Sequence, residues 1–120
     1  AGHGPRSLAL AAAHADTWNT YGGPGTADVE GDEFWQLLGR QVEGFVEACE
    51  RQGRDPASVR RSVLLGFGRV RPTASVGSFL DAAERATELG FDELIVYGPS
   101  WADGEPGDLD VHEQALAQLR

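Results

Sequence analysis

RRSVLLGF, residues 60–67, decides the fold: its apolar core runs on without the alternation of a strand wetted on one side. Unbroken apolar strands belong to parallel sheets covered on both faces. FDELIVYG, residues 91–98, gives the clearest strand, over 93–97. A shorter strand is expected over 16–21. There HADTWNTYGGPG (14–25) leaves an alanine-rich run and breaks into glycine and proline.

Helices fill the spaces between these strands. Residues 5–15 open on Pro5, whose missing N–H costs nothing at a first helical position, and line one face with Leu8, Ala11, Ala12 and Ala15. Residues 32–52 repeat Phe34, Leu38, Val42, Phe45 and Cys49 at helical spacing, with Trp35 and Val46 beside them. Asp32 and Glu33 suit that helix's N-terminal dipole, and Gly53 ends it. Asp55 before Pro56 is placed to cap a short helical turn. A third helix is expected over 78–89. Ser78 and Asp81 form its capping box, Phe79, Leu80, Ala83 and Ala86 its buried side, and Gly90 its C-terminal cap. The last helix, 109–119, has Asp110 and Glu113 at capping-box spacing and a stripe of Val111, Ala115, Leu116 and Leu119. The order α-β-α-β-α-β-α specifies an α/β protein with a parallel sheet. Two architectures remain: an open doubly wound sheet, or part of a (β/α)8 barrel.

The 120 residues suffice for one modest domain. A net charge of −9, with ten arginines and no lysine, argues against nucleic acid, which needs a cationic surface, and against an anionic membrane. No apolar run approaches the roughly 20 residues needed to span a bilayer, and no basic stretch leads into an apolar one at the start. A cytoplasmic protein is expected. Cys49 is the one cysteine, so no intrachain disulfide forms, and its apolar setting reads as a buried, inert thiol.

In either architecture a ligand would sit at the carboxyl ends of the strands, in the βα loops. Three uneven loops stand there: Trp18-Asn19-Thr20-Tyr21 with GGPG, Gly66-Phe67-Gly68-Arg69, and Tyr97-Gly98-Pro99-Ser100-Trp101. Trp18 reads either as a residue at the mouth of a site or as core. GGPG reads either as a flap closing over a ligand or as a plain turn. AGHGPRS, residues 1–7, leads glycines into a helix beginning Pro5-Arg6-Ser7, a place where free N–H groups and a guanidinium would hold phosphate. His3, His14 and His112 lie far apart and lack partners at metal-ligand spacing, so no metal is expected. Asp103, Glu105, Asp108 and Asp110 read as a solvated loop feeding a helix cap.

GHGPRSLALAAAHADTWN, GRDPASVRRSVLLGF and SFLDAAERATELGFDELIVY, in that order, resemble three segments of the luciferase-like, flavin-dependent monooxygenases. The likeness covers nearly the whole chain. It implies a (β/α)8 barrel binding FMN or the deazaflavin F420. Residues 1–120 would be a single partial domain, the C-terminal portion, beginning in the loop after barrel strand 5 and holding three parallel strands and four helices. The missing initiator Met fits that reading, since a full barrel typically needs about 250 residues.

The same resemblance implies that Gly2, His3, Gly4, Arg6 and Ser7 hold the cofactor phosphate, with Trp18 and Asn19 at the barrel mouth. It assigns no general base or nucleophile to this chain. The flavin does the redox chemistry on a small-molecule substrate in the full-length protein, and the chain alone is expected to be inactive. Three strands leave edges and apolar faces open, so association with further copies is expected. The alternative is a small non-catalytic α/β module binding a phosphorylated ligand or a protein partner.

Overall fold

The computed structural model describes residues 3–66, 68–97 and 107–119. Along the chain run α1 (Pro5–His14), β1 (Thr17–Thr20), α2 (Gly31–Arg51), β2 (Arg60–Leu65), α3 (Val76–Glu88), β3 (Glu93–Val96) and α4 (Gly107–Gln118). The strands form one parallel sheet in the order β1-β2-β3, with Asn19 opposite Ser62 and Leu64 opposite Ile95. The expected α/β class, the parallel sheet and all seven elements are present.

Each parallel connection needs a long crossover, and α2 and α3 supply the two. Alternate strand residues point to the helices. Trp18 of β1 and Val63 and Leu65 of β2 join Phe34, Leu38, Val42, Phe45 and Cys49 of α2, Ala82 and Ala86 of α3, and Ala12 of α1 in one core. Small residues on α1 let it lie close on α2, where Leu8 comes within reach of Gly44.

The apolar run of β2 does not mean cover on both faces. Val63 and Leu65 are buried beneath the helices, whereas Leu64 between them is half-buried. On its far face the sheet carries Asn19, Ser62, Leu64 and Ile95, the last 38% exposed. Among the described residues the core cluster lies wholly on the helix side.

Local chemistry sets the element ends. Gly53 and Gly90 take φ of +71° and +86° just beyond α2 and α3, the left-handed conformation that suits a residue without Cβ. Asp55 accepts the Ala57 N–H at 3.0 Å and caps the 3-10 turn Pro56–Ser58, as its sequence position implies.

The start of α3 differs from the sequence expectation. It begins at Val76, and Ser75 is the cap, its Oγ accepting the Ser78 N–H at 3.0 Å. Ser78 and Asp81 therefore sit inside the first turns rather than forming a capping box. Valine at a first position hides the boundary, because a β-branched residue is a poor helix signal. Ser75→Ala is expected to lower stability by about 1 kcal/mol, and Ser78→Ala by less than about 0.5 kcal/mol. Urea unfolding midpoints of the two variants measure the difference.

Candidate functional site

α1 runs antiparallel to β1, so its N-terminus returns to the carboxyl end of that strand. His3 marks the place: its ring meets the Tyr21 ring edge-on, with centroids 4.3 Å apart. On its other side the His3 Nδ1 lies 2.9 Å from the Gln41 Nε2 of α2. Gln41 in turn accepts, through Oε1, a hydrogen bond from the buried Thr20 hydroxyl. The Thr20 oxygen itself accepts the Gly22 N–H at 2.9 Å. Three segments distant in sequence thus meet in one polar chain at the end where βα loops carry ligands. Burial lowers the His3 pKa below its ordinary value. That direction favours the uncharged imidazole.

The glycine turn that follows β1 is built to make this contact. Gly22 and Gly23 are buried and take φ of +104° and +87°. A Cβ on Gly23 would stand 2.8 Å from the Gln41 Nε2 and 3.6 Å from the His3 Nδ1. The turn is closed by Thr26, whose hydroxyl donates to the Gly23 carbonyl at 2.7 Å. A second loop locks it: an added Cβ on Gly68 would lie 2.7 Å from the Ala27 Cα.

α1 itself offers donors without competition from acids. Gly4 is its N-cap in extended conformation, no side chain caps it, and its first turn holds no carboxylate. The first intrahelical bond runs from the Leu8 N–H to the Gly4 carbonyl, so the Arg6 and Ser7 N–H groups have no partner within the helix. Arg6 and Ser7 are exposed. Gly4 has a negative φ and open space where a Cβ would go, so it is not required as a glycine. A mixed-charge groove at the same end, between the starts of α2 and α3, carries Arg69, Arg71 and Asp81.

The sequence-derived site residues separate into three groups. His3, Gly4, Arg6 and Ser7 lie together at the start of α1, and Gly2 lies outside the described residues. Asn19 faces the side of the sheet away from α2, where its Nδ2 donates to the Oγ of the buried Ser62 at 2.8 Å.

Trp18 is corrected: it is not at a mouth. It is 2% exposed in the helix-side core, stacked on Phe45 at 4.3 Å with the rings 2° from parallel. Strand alternation forces this, because neighbours in β1 point to opposite faces and only one of Trp18 and Asn19 can face away from α2.

Tyr97 of the third loop is 54% exposed at the end of β3, and residues 98–101 lie outside the described set, as do Asp103 and Glu105. His14 is exposed and distant from His3, and the His112 Nε2 lies 3.1 Å from the Tyr97 carbonyl. Burial pushes the Cys49 thiol up, which keeps it protonated and unreactive.

Gln41 and Thr20 were not among the sequence-derived candidates. A signal was present: Gln41 lies on the stripe of Phe34, Leu38 and Phe45, a polar residue where helical period calls for an apolar one.

Among the described residues no group of three His, Cys, Asp or Glu side chains could hold a metal, and no helix is long and apolar enough to cross a membrane. No protein-family model, no curated protein and no solved structure matches this chain.

Proposed function

We propose that the chain forms the C-terminal part of a (β/α)8 barrel of the luciferase-like kind and contributes phosphate-binding groups to a flavin-dependent oxidoreductase. One observation carries the reading. The N-terminus of α1, with His3 and Arg6, stands at the carboxyl end of β1, and among the described residues the core cluster packs on one face of the sheet alone. A doubly wound sheet puts helices on both faces, whereas a barrel puts them all outside. The uncovered face would then be barrel interior, with Asn19, Ser62 and Leu64 looking inward.

The donor set fits a phosphate. Free first-turn N–H groups, the helix dipole, a guanidinium and a hydroxyl belong to one helical turn that holds no carboxylate. Arg6, Ser7 and the backbone of the first turn would hold the phosphate of FMN or F420, and His3 would add a neutral donor. When bound, the flavin supplies hydride or electron transfer, which no residue of this chain provides. The chain's part is to anchor the cofactor and to wall the site from water.

Binding of FMN, riboflavin and F420, followed by flavin absorbance and fluorescence, tests this. FMN is expected to bind at least tenfold more tightly than riboflavin, which lacks the phosphate. Arg6→Ala is expected to weaken FMN about tenfold while leaving riboflavin unchanged. Equal affinities for FMN and riboflavin would sink the phosphate role. Binding of inorganic phosphate with no flavin preference would favour a non-catalytic phosphate-binding module.

A further inference from the structure

The strongest unassigned feature is the chain of hydrogen bonds ending on His3. Its direction can be worked out from donors and acceptors. The Thr20 oxygen accepts the Gly22 N–H, and Thr20 is fully buried, so its own proton goes to the Gln41 Oε1. That fixes which end of the Gln41 amide is oxygen. The NH2 end then faces the His3 Nδ1 at 2.9 Å and donates to it. A ring nitrogen that accepts carries no proton, so in neutral His3 the proton resides on Nε2.

Turning the amide over is unfavourable. The Thr20 oxygen would take two N–H donors, and its buried hydroxyl would lose the acceptor shown for it. Gly23 completes the arrangement, since any side chain there would push the Gln41 amide away from the ring.

We propose that Gln41, backed by Thr20, is a positioning residue that locks His3 in the Nε2–H tautomer. The ring thereby offers a hydrogen-bond donor, and no acceptor, to an anionic ligand oxygen at the carboxyl end of β1. The role as ligand donor rests on the phosphate reading above; the tautomer does not. A donor-only imidazole discriminates by charge state. It bonds an ionised phosphate oxygen well, and it gains nothing from a ligand N–H or a protonated phosphate hydroxyl turned toward it. The closed glycine turn holds the ring's partners in place before any ligand arrives, so little reorganisation accompanies binding.

Two-bond 1H–15N correlation spectra of the histidine-labelled protein, without ligand, read the tautomer directly. His3→Asn identifies the His3 signals. The expected spectrum has a protonated Nε2 and an unprotonated Nδ1. In Gln41→Glu the carboxylate accepts where the amide donated, and the ring is expected to move its proton to Nδ1 or to become charged. Gln41→Leu is expected to leave a mixture of tautomers.

A wild-type ring protonated on Nδ1 would overturn the proposal. So would a Gln41→Glu variant that folds, by its amide spectrum, yet keeps the wild-type tautomer. Inorganic phosphate is then added as the probe. A shift confined to the Nε2 side supports the donor role, and an unmoved Nε2 overturns it. Failure of FMN to bind would remove the flavin reading while leaving both His3 results intact.

Discussion

Replacing Trp18 by alanine is expected to destabilise the protein by about 3–5 kcal/mol, a large part of the ~5–15 kcal/mol that holds a typical domain folded. The indole is 2% exposed and lies flat against Phe45, with Phe91 6.4 Å away on a nearly parallel plane. Among the described residues it is the largest of the fully buried side chains, and it joins β1 to the middle of α2. Truncation to a methyl group leaves a cavity that the rigid sheet on one side and a 21-residue helix on the other close only in part. Trp18→Phe keeps an aromatic ring against Phe45 and is expected to recover more than half of the loss. Urea denaturation of the two variants gives the comparison. A Trp18→Ala protein with an unchanged midpoint would mean that the indole does not pack as described.

The second large effect is expected at Gly68. Its φ is not positive, so the requirement for glycine is one of space rather than of backbone conformation. A Cβ there would lie 2.7 Å from the Ala27 Cα and 3.0 Å from the Ala27 carbonyl oxygen. Both are backbone atoms, held by the 3-10 turn Thr26–Asp28 and by the buried Thr26 hydroxyl. Relief comes only from parting the first two βα loops. Gly68→Ala is expected to cost about 1–3 kcal/mol, as overpacking does, and to disturb amide signals around Gly22 and Thr26 as well as its own. An open-space glycine, Gly25→Ala, separates the two causes. There φ is +88° and a Cβ meets nothing within 4 Å, so only backbone strain applies. Thermal melts of both variants, with amide spectra, distinguish collision from strain.

The elements were legible because each carried a local cause. Helical spacing of Phe34, Leu38 and Phe45, glycines at 53 and 90, and Asp55 before Pro56 all act within a few residues of themselves. The α3 cap was displaced by three residues, from Ser78 to Ser75, because the serine that caps the helix precedes a valine. The facing of Trp18 was open in the sequence because a four-residue strand gives too little alternation to tell core from mouth. Its partner Phe45 is 27 positions away and only the fold brings the two rings together. The same holds for the polar chain at β1. His3 was singled out for its glycines and Arg6, and the structure sets it among Tyr21, Thr20 and Gln41. No spacing rule links residues 3, 20 and 41.

The strand order has a consequence for how the chain reaches its native state. Among the described strands β2 is the one with two neighbours, and a helix separates it from each along the chain. Asn19 meets Ser62 across 43 residues, and Ser62 meets Glu93 across 31. No hairpin is available to seed the sheet, so every ladder bond must wait for a helix-length loop to close. Doubling a loop costs only about 0.6 kcal/mol, so the two closures are nearly equal in entropy and neither is a favoured first step. Residues 60–65 are common to both routes, and they become the place where the nascent chain commits to its topology.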